Sequence, residues 1–271
     1  MNNPSLRVKA MKKPLTSVIL RRVREGRAAV EQDQVAREAF LTIFLNGVEI
    51  ATLSCTPTAW DYLAVGFLFA EGLLESADDL LTVEVDPEKG FVQVESTRSE
   101  RLETLQTLAP VLSSGCGRGV TFRHHRGFLG LPRVESKFTL ASGQIRALVK
   151  GLEQQAELFR QTGAVHSAAL GSPAGLLLVH EDLGRHNAVD KVLGECLLRR
   201  ISTEDKVLLS SGRLTSEIVL KAVRHRVPIL VSRCAVTDVA IQYARSLGLT
   251  LIGFVRGRRM NIYTGAKRIK P

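Results

Sequence analysis

The chain has 271 residues, of which 45% are hydrophobic, and a formal net charge of +10. That length holds one large core, or two in units of roughly 100 to 150 residues. No run approaches the ~18 to 20 unbroken apolar residues of a membrane span. Residues 1–14 carry Arg7, Lys9, Lys12 and Lys13 but no apolar signal-peptide core, so a cytoplasmic protein with no membrane partner is expected. The basic balance favours anionic partners. Part of it is spent in the head and in a tail with Lys267, Arg268 and Lys270. Aromatics are only 5%, which argues against a stacking platform for single-stranded nucleic acid.

Residues 1–15 read as a disordered leader and 17–23 as a short strand. Residues 39–45 and 48–53 alternate apolar and polar side chains around Asn46-Gly47, a strong hairpin signal. A helix follows through Trp60, Leu63, Phe67 and Phe69, with Thr58 as its N-cap and Gly72 near its end. Residues 82–85 and 91–95 form a second hairpin, which completes a small α+β unit over 16–110. Residues 111–135 are punctuated by Gly115, Gly117, Gly119, Gly127 and Gly130, with Arg118, Arg123, His124, His125 and Arg126 among them. This stretch reads as a mobile loop.

From Ser142 the pattern becomes regular. A long helix over 142–162 is closed by Gly163; strands follow at 165–170 and 176–180, then a helix over 187–199. Strands at 207–209, 229–231 and 250–255 alternate with helices at 215–224 and 237–247, and 260–263 reads as a short last strand. Alternating apolar strands and amphipathic helices predict a largely parallel sheet flanked by helices over 136–271.

Ligands of such sheets bind at the carboxyl ends of the strands. Here those ends read 180–187 (HEDLGRHN), 210–213 (SSGR), 232–234 (SRC) and 256–259 (RGRR). Several precede a helix N-terminus, where free amides favour phosphate. Arg256, Arg258 and Arg259 could clamp a pyrophosphate, although a solvated basic turn is the simpler reading of the triplet alone. His180, Asp182 and His186 suggest a polar network as readily as a metal site. The His-x-Glu and Pro-Cys-x-x-Cys of zinc deaminases are missing. Neither a Gly-x-x-x-x-Gly-Lys-Ser/Thr loop nor a Gly-x-Gly-x-x-Gly fingerprint occurs.

Four cysteines, Cys55, Cys116, Cys196 and Cys234, are far apart in sequence, so neither a disulfide framework nor a metal knuckle is expected. Cys196 shares a helical apolar face with Val189, Val192 and Leu193, and Cys55 ends a strand; both read as core residues. Cys234 lies at a polar strand end. Cys116 stands in Ser113-Ser114-Gly115-Cys116-Gly117-Arg118-Gly119. Flanking glycines let a partner approach, and Arg118 favours the thiolate. An incidental cysteine in a flexible loop is the alternative.

Taken together, these motifs resemble the formate dehydrogenase accessory sulfurtransferases, the FdhD/NarQ family, over nearly the whole chain from about Ser17. The likeness is carried by Asn46-Gly47, the Trp60 helix with Glu71-Gly72, residues 113–119, 163–170 (GAVHSAAL), 181–191 (EDLGRHNAVDK), Ser211-Gly212-Arg213 and 253–257 (GFVRG). The resemblance implies a sulfur carrier acting as a sulfurtransferase. It would take sulfur from a cysteine desulfurase as a persulfide on Cys116 and deliver it to the molybdenum cofactor, a bis(molybdopterin guanine dinucleotide), before insertion into formate dehydrogenase. It further implies that Phe254, Val255, Arg256, Gly257, Arg258 and Arg259 bind the cofactor and its guanine nucleotide. The implied larger domain is a cytidine-deaminase-like α/β fold without zinc, preceded by the smaller α+β domain, in a homodimer. Two departures stand out. Gly119 occupies a position where many members have a second cysteine, and Cys234-Ala235-Val236-Thr237 stands where Ser-Ala-Pro-Thr is expected. The first argues against a mechanism that needs an internal thiol pair here. Competing readings are a non-covalent chaperone of the same cofactor, a deaminase-like hydrolase, and charge-driven nucleic-acid binding with no sequence preference.

Overall fold

The structure, a computed structural model, describes residues 4–98, 111–112, 120–121 and 130–271. The stretch expected as a disordered leader contains strand β1 (Ser5–Val8), which runs parallel to β6 (Leu80–Asp86) at a sheet edge. All four residues of β1 are exposed, so no buried alternation marks them in the sequence. Lys9 extends the attachment, its Nζ 2.5 Å from Asp86. Next comes a two-stranded ribbon of β2 (Leu15–Arg24) and β3 (Arg27–Ala36). It turns at Glu25-Gly26 with φ of 49° and 78°, the twist a tight hairpin needs. The predicted strand over 17–23 is thus half of a longer ribbon. Its partner is disguised by the polar run Glu31-Gln32-Asp33-Gln34, and Arg22 crosses the ribbon to pair with Glu31 and Asp33.

The Asn46-Gly47 hairpin forms as predicted between β4 (Ala39–Leu45) and β5 (Val48–Cys55), with φ of 48° and 77° at the turn. With β7 (Phe91–Ser96) these strands complete a five-stranded sheet in the order β1-β6-β7-β4-β5. Helix α1 (Trp60–Ala70) covers one face, placing Leu63, Phe67 and Leu68 among Leu41, Ile43, Val83, Val85, Val92 and Val94. This helix is buried nearly all round, as expected of one packed on two sides. Its N-cap is Ala59, at φ 52°, and not Thr58. The Thr58 hydroxyl is used elsewhere, as an acceptor for Lys191. Gly72, at φ 75°, closes the other end.

Short strands β8 (Val111–Leu112) and β9 (Val120–Thr121) pair with each other, and β10 (Leu140–Ala141) pairs with the C-terminal β17 (Ile269–Lys270). Most of the expected mobile loop, with Cys116, lies outside the described residues. Its last part does not stand apart: Val134 is buried in the core of the larger unit and donates its amide to the Leu247 carbonyl.

The predicted 142–162 helix is two helices, α2 (Ser142–Gln155) and α3 (Glu157–Thr162). The chain breaks at Ala156, where ψ is 74°. Glu181 supplies the reason, because its carboxylate accepts the Leu158 and Phe159 amides at 2.8 Å and caps a second helix start. The larger sheet runs β12 (Gly175–Asp182), β11 (His166–Ser172), β13 (Val207–Ser210), β14 (Ile229–Ser232), β15 (Thr250–Arg256), β16 (Arg259–Thr264). Only β13-β14-β15 are parallel; β11, β12 and β16 pair antiparallel. The sheet is therefore mixed, not largely parallel, because a tight turn at 173–174 and another at 257–258 reverse the chain without a crossover helix.

Successive strand residues face opposite sides. Ala168, Leu170, Leu208, Leu230 and Leu251 meet α4 (Arg185–Leu198), α5 (Ser216–Arg224) and α6 (Asp238–Ser246). Ala169, Leu209, Val231 and Ile252 meet α2 on the other face. The two units join through α1 and α4. A Cβ on Gly66 would sit 2.0 Å from the Asp190 carbonyl oxygen, and one on Gly194 would sit 1.9 Å from that of Tyr62. Backbone meets backbone at this crossing, so both positions require glycine. Among the described residues no helix is long and apolar enough to cross a membrane.

Candidate functional site

Because β11 runs antiparallel to both β12 and β13, the start of β11 and the end of β12 share an edge with the ends of β13, β14 and β15. That edge collects His166, Asp182, the Ser210-Ser211-Gly212-Arg213 turn, Ser232-Arg233-Cys234 and Arg256. Its serines bind the turns together. Ser211 accepts the Ser167 amide at 2.9 Å and lies 3.3 Å from His166 Nδ1. Ser232 donates to the Gly212 carbonyl at 2.6 Å and accepts the Cys234 amide. A Cβ on Gly212 would press on the Arg185 side chain at 2.8 Å, so the glycine lets that buried guanidinium stem cross the turn.

The predicted cofactor segment sits at the far end of this edge. Phe254 is at φ 52° in a bulge between Gly253 and Arg256. A bulky residue in the left-handed region stores on the order of 1 kcal/mol or more of strain. Its amide donates to the Cys234 carbonyl at 3.0 Å, which holds it there. Val255 points into the core, so only its backbone can meet a ligand. Arg256, Gly257, Arg258 and Arg259 are exposed. Arg256 lies against the Phe254 ring, 5.6 Å from its centroid, and donates to the Arg233 carbonyl. The unusual 234–237 loop is braced from below: Leu214 bridges to Val236, and Gly253 leaves the room that Val236 occupies.

The acidic and histidine motif is taken apart by the fold. His180 bonds Glu195 at 2.6 Å, and burial lowers its pKa foremost. His186 turns to Glu217 at 3.0 Å, and Glu181 caps α3. Asp182 is fully buried with Lys191 at 2.6 Å. It also accepts from the Thr56 amide and hydroxyl, the Gly184 amide and Asn187. Lys191 donates in turn to Thr56, Thr58 and the Glu181 carbonyl. These residues lock the two units together and do not form a metal cage. Among the described residues no group of three His, Cys, Asp or Glu is placed to hold a metal. Sequence reading missed this lock; the signal was a lysine on the apolar face of a predicted helix, which requires a buried acid.

Of the described cysteines, Cys55 and Cys196 are buried, and burial pushes both thiols up to about 12. Neither is a nucleophile at neutral pH. Cys234 is half-buried at the edge, its Sγ donating to the Ser211 carbonyl at 3.1 Å. Cys116 lies outside the described residues.

A mixed α/β sheet with serine, glycine and arginine turns gathered at one edge defines an α/β protein with a basic, amide-rich candidate ligand edge. Residues 36–270 match the FdhD/NarQ family, and the chain belongs to that family. It is 38% identical over 249 residues to a protein of Bacillus subtilis (strain 168) named "Sulfur carrier protein FdhD", covering 92% of this chain and 95% of the relative. A Staphylococcus haemolyticus protein of the same name is 39% identical, with 92% and 94% covered. A solved structure from Desulfotalea psychrophila, assigned as a formate dehydrogenase accessory protein, superposes with a TM-score of 0.77 at 28% identity. The match spans 95% of this chain and all of that one.

Proposed function

We propose that this chain is a sulfur carrier in formate dehydrogenase maturation, acting as a sulfurtransferase through Cys116. The observation that carries this reading is the end-to-end match to relatives that bear the sulfur carrier name. The chemistry of the other cysteines supports it, since two are locked in cores. The Cys116 thiolate attacks the outer sulfur of a persulfide on a cysteine desulfurase. The donor S–S bond breaks, a new S–S bond forms on Cys116, and the desulfurase cysteine leaves as thiolate. The recipient is the molybdenum cofactor, bis(molybdopterin guanine dinucleotide), as bound substrate. Residues 254–259 are the proposed seat of its guanine nucleotide, supported by their position at the edge and by three exposed guanidinium groups suited to phosphate. A cytoplasmic homodimer and a cytidine-deaminase-like larger unit belong to the same proposal. What supports the latter is the single six-stranded sheet with helices on both faces.

The test is intact mass after incubation with a cysteine desulfurase and cysteine. Wild-type protein should gain one sulfur atom, and Cys116→Ala none. A gain that persists in Cys116→Ala, or never forms in the wild type, rejects the carrier role. If Cys116→Ala also supports formate dehydrogenase activity in cells while Arg256→Ala does not, the non-covalent chaperone reading replaces it.

A further inference from the structure

One face of the β2-β3 ribbon stands open to solvent. Side chains alternate along each strand, and the register sets Ile19 opposite Gln32, Arg21 opposite Val30 and Val23 opposite Ala28 on this face. Between Ser17 and Gln34 every residue on it is exposed. Ile19, Val23 and Val30 are 80%, 66% and 75% exposed. The other face is engaged: Val18 and Leu20 are half-buried, and Arg22 holds Glu31 and Asp33. Arg21, Arg24 and Arg27 are exposed against the exposed acid Glu25, so the arm is both apolar and basic. A two-stranded ribbon is marginally stable by itself in water, and a cover on the open face would stabilise it.

A second open face has the complementary chemistry. Leu41, Ile43 and Leu45 of β4 point toward α1, so Phe40, Thr42 and Phe44 point outward. Phe40 is 66% exposed; with Ile19, Val23 and Val30 it completes the four most exposed large apolar side chains among the described residues. Phe91 lies beside Thr42 on β7, and its ring meets Phe44 edge-on at 6.0 Å. Acids flank these rings: Glu49 opposite Phe44, Glu84 opposite Gln93, and Glu95 two residues further along β7. Arg7 stands opposite Glu84. The acids outnumber it, so the face is negative, and its rings suit guanidinium groups. The ribbon therefore complements this sheet and not itself, since two ribbon faces together would gather arginines of like charge. Area points the same way. Strands of ten residues run about 33 Å, and a face two strands wide covers about 300 Å². One ribbon on one sheet buries roughly 600 Å² in total, short of the ~1,200 Å² of a stable interface, whereas reciprocal exchange between two copies reaches it.

We propose that the open face of the β2-β3 ribbon seats on the outer face of the five-stranded sheet of a second copy, each copy giving one ribbon and receiving one. The contact rests on the homodimer reading and names its surfaces. Sedimentation velocity of the full chain over a concentration series tests it. Wild type should be a dimer. Ile19→Asp combined with Val30→Asp, or Phe40→Asp alone, should weaken association about a hundredfold or more, because each sets a carboxylate where an apolar side chain is covered. All three side chains are exposed in the single chain, so its core is untouched. The two variants mixed should associate more tightly than either alone and more weakly than wild type. The mixture keeps one intact contact, between the ribbon of the Phe40→Asp chain and the sheet of the other, and misfolded chains could not restore it. With a dimeric wild type, a variant that dimerises equally well, or a mixture no tighter than its components, rejects this contact and leaves the homodimer standing. A monomeric wild type rejects both. Cosedimentation of a monomeric wild type with phosphatidylglycerol vesicles, lost in the ribbon variant, would overturn the proposal by assigning the ribbon to a membrane surface.

Discussion

Replacing Lys191 by methionine removes a charge from the most enclosed ion pair in the described structure. Lys191 and Asp182 are both fully buried and 2.6 Å apart. Methionine fills similar volume, so the change is mainly one of charge. The carboxylate left behind keeps the Thr56 amide and hydroxyl, the Gly184 amide and Asn187, but loses the ammonium 2.6 Å away. Thr56, Thr58 and the Glu181 carbonyl lose a donor at the same time. Breaking a buried pair from one side costs about 3–5 kcal/mol. Urea unfolding should show the loss as a midpoint lower by about 1 M or more, since such slopes are about 1–3 kcal/mol per molar. Asp182→Asn in the same chain removes the stranded charge while keeping donors and acceptors in place. The double variant should therefore lose less than the two single losses added together. Additive losses, with coupling below about 0.5 kcal/mol, would refute the reasoning.

Gly194→Ala places a methyl 1.9 Å from the Tyr62 carbonyl oxygen, where only a shift of α1 from α4 can relieve it. Overpacking of this kind costs about 1–3 kcal/mol or more, and thermal unfolding should show a lower midpoint with Gly143→Ala, which meets only the tip of Arg146, nearly unchanged. His225 gives a pH signature. Burial foremost, then Lys221 and Arg224, lower its pKa from 6.5 to about 3. The unfolded chain takes up a proton that the folded chain refuses. This contribution is complete above pH 6.5 and fades as pH falls toward 3, by up to about 1.4 kcal/mol per unit. Asp190 acts in the opposite sense: burial raises it from 3.8 to about 6, so its contribution is present below 3.8 and is lost as pH rises through 6. Comparing wild type with His225→Phe by urea unfolding at pH 7 and pH 5 isolates the histidine. Identical losses in the two proteins would show that His225 does not titrate as buried.

Local rules were legible in the sequence wherever one element decided the outcome. Asn46-Gly47 determined its own turn, and the short apolar runs at 207–209, 229–231 and 250–255, set between amphipathic helices, located three central strands. Failures came where a distant group decides. The break at Ala156 depends on Glu181, 25 positions on in sequence; Thr58 gives up capping because Lys191 takes its hydroxyl. β1 has no buried face to betray it, and β3 is masked by polar residues whose partners lie across a ribbon. At the site, the polar strand ends were visible as composition, but the arrival of His166 beside Ser211 required the reversed direction of β11. Arg185 reads in sequence as one more charge at a polar strand end; only the bare backbone of Gly212 reveals why it can be buried. The family resemblance named the segments correctly as a set without distinguishing those that join the two units from those that line the edge.

The Asp182–Lys191 lock has a consequence for how such proteins can be recombined. Its hydroxyls, Thr56 and Thr58, come from the first unit, whereas its acid and amine come from the second. The halves are therefore not interchangeable parts. A hybrid that takes residues up to 98 from one relative and the remainder from another inherits a working seam only if the donor brings both hydroxyls and a glycine opposite Asp190. Exchange across this boundary is thereby restricted to parents that already share the seam.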